Sequence, residues 1–297
     1  MTDSGGGDPL GAGPGSLAGS EPMVTFSAAD GTRLAYRVLG EGDPIVCLPG
    51  GPTDSAYLGD LGGLSKYRQV IVPDLRGTGG SALPADPASY RCDRLVDDVE
   101  ALRAHLGLDR IDLLGHSAGG NIAVQYLARY AERVRRFALV CPSPRAVGID
   151  ITPAMRLDLA RQRSAEPWYP AAYAALRVAA EGGDADRDAI MPFFWGRWDE
   201  AARNHPANRP HTNPELVEGY RADGAFDPPA TRAAIAGYDG PVLVLAGELD
   251  MNSPPAPMSE YAGLFAHPSL AVQPGAGHYP WVDDPAAFLR TLTAFLR

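Results

Sequence analysis

Apolar residues follow two rhythms along this chain. Short continuous runs recur at Pro44-Ile-Val-Cys-Leu48, Gln69-Val-Ile-Val-Pro73, Ile111-Asp-Leu-Leu114, Phe137-Ala-Leu-Val-Cys141, Pro241-Val-Leu-Val-Leu-Ala246 and Leu270-Ala-Val-Gln273. Such runs are too short for helices and are apolar at successive positions, the pattern of strands covered on both faces. Between them, Leu95, Val96, Val99, Leu102 and Leu106 recur at helical spacing, with Gly107 suited to the helix end. Further helices are predicted over Asn121–Tyr130 and from about Pro285 to Arg297. Ahead of these, Val24-Thr-Phe-Ser27 and Leu34–Leu39 flank Asp30-Gly31 and read as a hairpin. Strands alternating with helices predict an eight-stranded, mostly parallel, doubly wound sheet that opens with an antiparallel hairpin. In such a sheet, ligands bind beyond the carboxyl ends of the strands.

One stretch breaks the rhythm. Residues 145–236 are too long for an ordinary crossover, and they concentrate aromatics: Trp168, Tyr169, Tyr173, Phe193, Phe194, Trp195, Trp198, Tyr220 and Phe226. They are expected to form a helical cap inserted into a core built from residues 22–144 and 237–297. Residues 1–21 are rich in Gly, Ser and Pro, a composition that buries little apolar surface and predicts a disordered tail. The net charge of -10, without a Lys/Arg cluster, argues against a nucleic-acid partner. No apolar run has membrane-spanning length. The start has no apolar signal segment and no Lys or Arg before Arg33, so a cytoplasmic protein is expected. Cys47, Cys92 and Cys141 lack paired or metal-type spacing; Cys47 and Cys141 sit in apolar runs as small core residues. No metal and no cofactor are expected.

The chemistry concentrates at Leu113-Leu-Gly-His-Ser-Ala-Gly-Gly120. A strand drives into Gly-x-Ser-x-Gly and a helix follows at once. That turn lifts the Ser117 hydroxyl above the sheet edge, at the positive end of the helix. A serine nucleophile needs a base, an acid to orient it and donors for the oxyanion. His278, in the Gly-rich loop Gly275-Ala-Gly-His278 after the last strand, is the candidate base; His116, beside the serine, reads as structural. Asp250, ending the preceding strand, is the candidate acid, with Glu248 as its rival. The oxyanion donors are expected on the backbone N–H groups of Ala118 and of Gly51 in Pro49-Gly-Gly-Pro52, with Gly50 next. The Asp74-Leu-Arg-Gly-Thr-Gly-Gly-Ser81 segment lacks the Lys-Ser/Thr ending of a phosphate loop and reads as a brace for the oxyanion turn.

Taken together, these segments resemble the α/β-hydrolase superfamily over residues 23–297. The Pro49-Gly-Gly-Pro52 and Asp74-x-Arg-Gly-x-Gly-x-Ser81 motifs, with the large cap, are most similar to its proline iminopeptidase branch. The chain departs from that branch at Pro49, where a His is usual, and at Ala118, where a Trp follows the nucleophile. The resemblance implies a cofactor-free α/β-hydrolase fold with the chain order Ser117, Asp250, His278. It further implies acyl-enzyme cleavage of an ester or amide of a small apolar, aromatic or peptide-like substrate. In that branch cap carboxylates hold the substrate amine, a role open to Asp199 and Glu200; Trp195, Trp198, Glu200 and Tyr279 are the candidate substrate-binding residues. Acyl transfer or cyclisation, carbon–carbon bond cleavage and a non-catalytic receptor remain alternatives. The expected partner is a small molecule or short peptide, with neither nucleic acid nor membrane.

Overall fold

In a computed structural model, residues 23–297 are described, and the Gly-rich stretch expected to be disordered lies outside them. The strands are β1 (Val24–Ser27), β2 (Arg33–Leu39), β3 (Pro44–Leu48), β4 (Gln69–Asp74), β5 (Ile111–His116), β6 (Val134–Val140), β7 (Val242–Gly247) and β8 (Pro268–Gln273). They form one eight-stranded sheet in the order β1-β2-β4-β3-β5-β6-β7-β8. The β1–β2 and β2–β4 pairs are antiparallel and all others parallel.

Side-chain alternation explains the unbroken apolar runs. In β3, Val46 and Leu48 enter the core on one face, with Leu95 and Val99 of α1 (Cys92–His105) and Ile122 of α2 (Gly119–Arg129). Ile45 and Cys47 enter the other, with Trp281 of α10 (Pro280–Asp283) and Phe288 and Leu292 of α11 (Pro285–Phe295). Burying each large aliphatic side chain stabilises the fold by about 1.5–3 kcal/mol. Neither face can then spare a polar position, which is why the strands read as continuous rather than alternating.

Between β6 and β7 run α3 (Pro153–Ala160), α4 (Tyr169–Ala180), α5 (Arg187–Ile190), α6 (Glu200–Asn204), α7 (Pro214–Gly219) and α8 (Pro228–Ile235), and α9 (Pro255–Ala262) follows β7. Most of the six are short, and side chains start five of them: Thr152, Asp186, Asp199, Asn213 and Asp227 each cap a first turn. Around α3 to α5 lies a separate small core of Ala160, Ala172, Leu176, Ile190, Phe193 and Met251. By contrast, Leu216, Tyr220, Ala225 and Ile235, from α7 to α8, join the main core.

Candidate active site

Ser117 sits between β5 and α2 with φ of +51°, a left-handed conformation that costs a non-glycine residue about 1–2 kcal/mol. Its neighbours hold it there. The Ser117 N–H donates to the Val140 carbonyl (3.2 Å), and its own carbonyl accepts from the Ser143 N–H (2.9 Å). Gly119 is required by crowding, because a Cβ there would stand 2.4 Å from the Pro49 carbonyl oxygen.

His278 and Asp250 come from the ends of β8 and β7, as their place in the sheet dictates. His278 Nε2 lies 2.9 Å from Ser117 Oγ, and its Nδ1 lies 2.8 Å from Asp250 Oδ2. An ionised carboxylate only accepts, so Nδ1 carries the ring proton and Nε2 is left to accept from the serine. Asp250 is fully buried, and its other oxygen accepts the Asn252 N–H at 2.8 Å. Glu248 is exposed and accepts from the Gly275 N–H (2.7 Å), while the imidazole's carboxylate partner is Asp250. A buried carboxylate not anticipated from the sequence, Asp283, accepts from the N–H groups of Gly277 (2.8 Å) and Gly196 (2.9 Å), joining the His278 loop to the segment after Trp195. Cys141, Asp250 and His278 bring ligand-type atoms within 4.8 Å of one another, a donor set a metal could use. Both ring nitrogens are already engaged, however, and burial pushes the Cys141 thiol well above its ordinary value, so the trio does not suit a cation.

The turn after β3 approaches the serine closely: a Cβ on Gly50 would lie 2.6 Å from Ser117 Cβ. Among the described residues, neither the Gly51 nor the Ala118 N–H has an acceptor, and both residues line the cavity above Ser117. Gly50 is already committed, since its N–H donates to Tyr57 Oη at 2.6 Å. The Asp74 carboxylate accepts from the Ser55 N–H (3.2 Å) and hydroxyl (2.6 Å), bracing the far end of the same loop.

Tyr57 also reveals what His116 does. The Tyr57 hydroxyl donates to His116 Nδ1 (2.7 Å), and His116 Nε2–H donates to the His278 carbonyl (2.9 Å). The acceptor-only carbonyl sets this tautomer. Burial, reinforced by the neighbouring His278, holds the His116 pKa well below its ordinary value, so the ring stays neutral. One buried chain of hydrogen bonds thus runs from the Gly50 turn to the backbone of the His278 loop.

Over Ser117 opens a cavity of about 430 Å³, whose lining includes Arg145, Arg156 and Arg221 beside Asn121, Ser143 and Asn252. Of the aromatics concentrated in residues 145–236, Tyr220 lines it and the other rings do not. Trp195 is fully buried, stacked on Tyr279 at 4.3 Å with its indole N–H donating to Asn208 Oδ1, so both rings serve packing. Trp168 packs edge-on against Phe193, and Tyr169 stacks on Tyr173. Trp198 is half-buried and Glu200 exposed, and neither lines the cavity. Asp199 caps α6 through the Ala202 N–H (3.0 Å). Composition registers aromatic content but not which way the rings face; the arginines carried no sequence signal at all. Tyr220 reads in the sequence as one more aromatic, yet its hydroxyl donates to the Ala118 carbonyl at 2.6 Å.

A family model described as alpha/beta hydrolase fold matches residues 43–285. The chain is 26% identical to a proline iminopeptidase from Heyndrickxia coagulans, over 91% of this chain and 97% of the relative. It is 28% identical to a 2-hydroxymuconate semialdehyde hydrolase from Pseudomonas sp. strain CF600, over 90% of this chain and 92% of the relative. Its structure matches that of a proline iminopeptidase-related protein from Thermus thermophilus with a TM-score of 0.70 and 25% identity, covering 93% of this chain and 97% of the other. Among the described residues no helix is long and apolar enough to cross a membrane.

Proposed function

The chain belongs to the alpha/beta hydrolase fold family, and from that premise we propose that it is a serine hydrolase working through an acyl-enzyme on Ser117. The observation that carries this reading is the unbroken line Ser117 Oγ–His278 Nε2 (2.9 Å) and His278 Nδ1–Asp250 Oδ2 (2.8 Å) beneath an open cavity. His278 takes the hydroxyl proton as Ser117 Oγ bonds to the acyl carbon. The N–H groups of Ala118 and Gly51 receive the oxyanion, and Asp250 steadies the imidazolium. The bond to the leaving group then breaks, and that group departs with the proton from His278. Water, deprotonated by the same imidazole, releases the acid and frees Ser117.

The substrate is a small ester or amide. An amine clamp of the prolyl type is not favoured, since Asp199 is spent on capping α6 and Glu200 lies off the cavity. Intact-protein mass after treatment with a fluorophosphonate tests the reading, with Ser117→Ala alongside. One adduct on the wild type and none on the variant is expected, with loss of nearly all ester turnover. Turnover retained by Ser117→Ala would sink the proposal.

A further inference from the structure

We propose that the cavity over Ser117 selects an anionic acyl substrate, one whose acyl chain ends in a carboxylate or phosphonate held by Arg145, Arg156 and Arg221. The inference rests on the serine-hydrolase reading and adds the substrate's charge to it. Elsewhere in this acidic chain, buried arginines meet carboxylates: Arg68 binds Asp112, and Arg76 binds Asp98 and Asp30. Of the three cavity arginines, Arg145 and Arg221 are exposed and Arg156 is half-buried. None forms an ion pair with a carboxylate among the described residues, and the cavity lining contains no acidic side chain, the charge of Asp250 reaching Arg156 only from behind that lining. Arg156 is half-buried, and its buried Nε has no hydrogen-bond partner. Leaving a guanidinium nitrogen dry and unpaired is costly unless an acceptor arrives.

These cations are held in register with the nucleophile. Asn121 on α2 is buried, and its Oδ1 accepts from the Ala146 N–H (2.9 Å), fixing the turn that carries Arg145. Tyr220, bonded to the Ala118 carbonyl at 2.6 Å, fixes the position of Arg221 beside it. Arg156 projects from α3. Three arginines from separate segments therefore surround one cavity of about 430 Å³, a size for a small molecule. The guanidinium fork matches carboxylate and phosphate oxygens, whereas a substrate with a free amine would meet like charge.

The test compares length-matched p-nitrophenyl esters: pentanoate, the hydrogen glutarate and the 4-phosphonobutanoate. The ratio of kcat/KM for an anionic ester to that for pentanoate is the readout. It is expected to be at least tenfold in the wild type, and to fall at least tenfold in Arg156→Gln and in the exposed-site variant Arg221→Gln. Which anionic ester leads tells carboxylate from phosphate. Preference for pentanoate, or a ratio untouched by both substitutions, would overturn the inference. Fluorophosphonate labelling separately reads the triad. Calorimetry of glutarate with Ser117→Ala reads the anion site without turnover: binding weakened at least tenfold by Arg156→Gln or Arg221→Gln supports it, and absent or unchanged binding overturns it.

Discussion

Replacing Tyr57 by Phe removes one oxygen and almost no volume. Tyr57 is buried, and its ring would still pack against Tyr279 and Trp281. What disappears is the centre of the chain that accepts from the Gly50 N–H (2.6 Å) and donates to His116 Nδ1 (2.7 Å). Both partners are buried, so each is left unsatisfied at a cost of about 1–3 kcal/mol, or roughly 2–6 kcal/mol together. That is a large fraction of a typical stability of about 5–15 kcal/mol. Urea unfolding should therefore show a lower midpoint with an unchanged slope. The Gly50 turn also loses its tether beside Ser117, and a small displacement of the Gly51 N–H should lower kcat by roughly tenfold to a hundredfold. A stability change under about 0.5 kcal/mol together with an unaltered kcat would refute the view that this chain holds the site together. Lost stability with full activity would mean that it serves the fold and not the oxyanion loop.

Three further outcomes are expected. Asp250→Asn should keep the fold but lower kcat by on the order of 10⁴, by favouring the wrong imidazole tautomer, whereas Glu248→Gln should leave kcat within about twofold; steady-state ester kinetics separate the two acids. Gly50→Ala would place a Cβ 2.6 Å from Ser117 Cβ and 3.0 Å from the His116 carbonyl oxygen, so fluorophosphonate labelling should slow by about a hundredfold or more. Burial holds His205 near a pKa of about 4 instead of 6.5 and depresses His116 in the same direction. The unfolded chain then binds protons that the folded one refuses, so stability is full above about pH 6.5 and falls as pH drops toward 4. His205 accounts for at most about 3 kcal/mol of that fall, and urea midpoints across the window should show a shallower slope in His205→Gln.

The sheet was legible because both its faces are buried: once Val46 and Leu48 face α1 and α2 while Ile45 and Cys47 face α11, the run has no polar position to hide it. Ser117, Asp250 and His278 were legible for a related reason. Each sits at a strand end where the chain must turn, and Gly, Pro and polar residues mark the turn. The segments between β6 and β7 obey weaker local rules. Their helices are started by single caps such as Asp186 and Asn213, and their apolar faces are short, so periodicity says little about where each helix lies.

Charge at the cavity is harder still to read, because it belongs to no segment. Arg145 and Arg156 belong to different elements and Arg221 lies much further along the chain, and each looks like an ordinary surface arginine within its own stretch. Only the fold brings them around Ser117, through Asn121 holding one turn and Tyr220 holding another. The aromatic residues behave in the opposite sense: they cluster between β6 and β7 in sequence, yet Trp195 spends its face on Tyr279. A candidate nucleophile such as Ser117 announces itself through the backbone turn it needs, and that requirement is local. A binding pocket is defined by which side chains are left without partners after folding, and Arg156 Nε is the clearest such atom here. The substrate's charge must therefore be sought in unmet hydrogen-bonding capacity, not in composition.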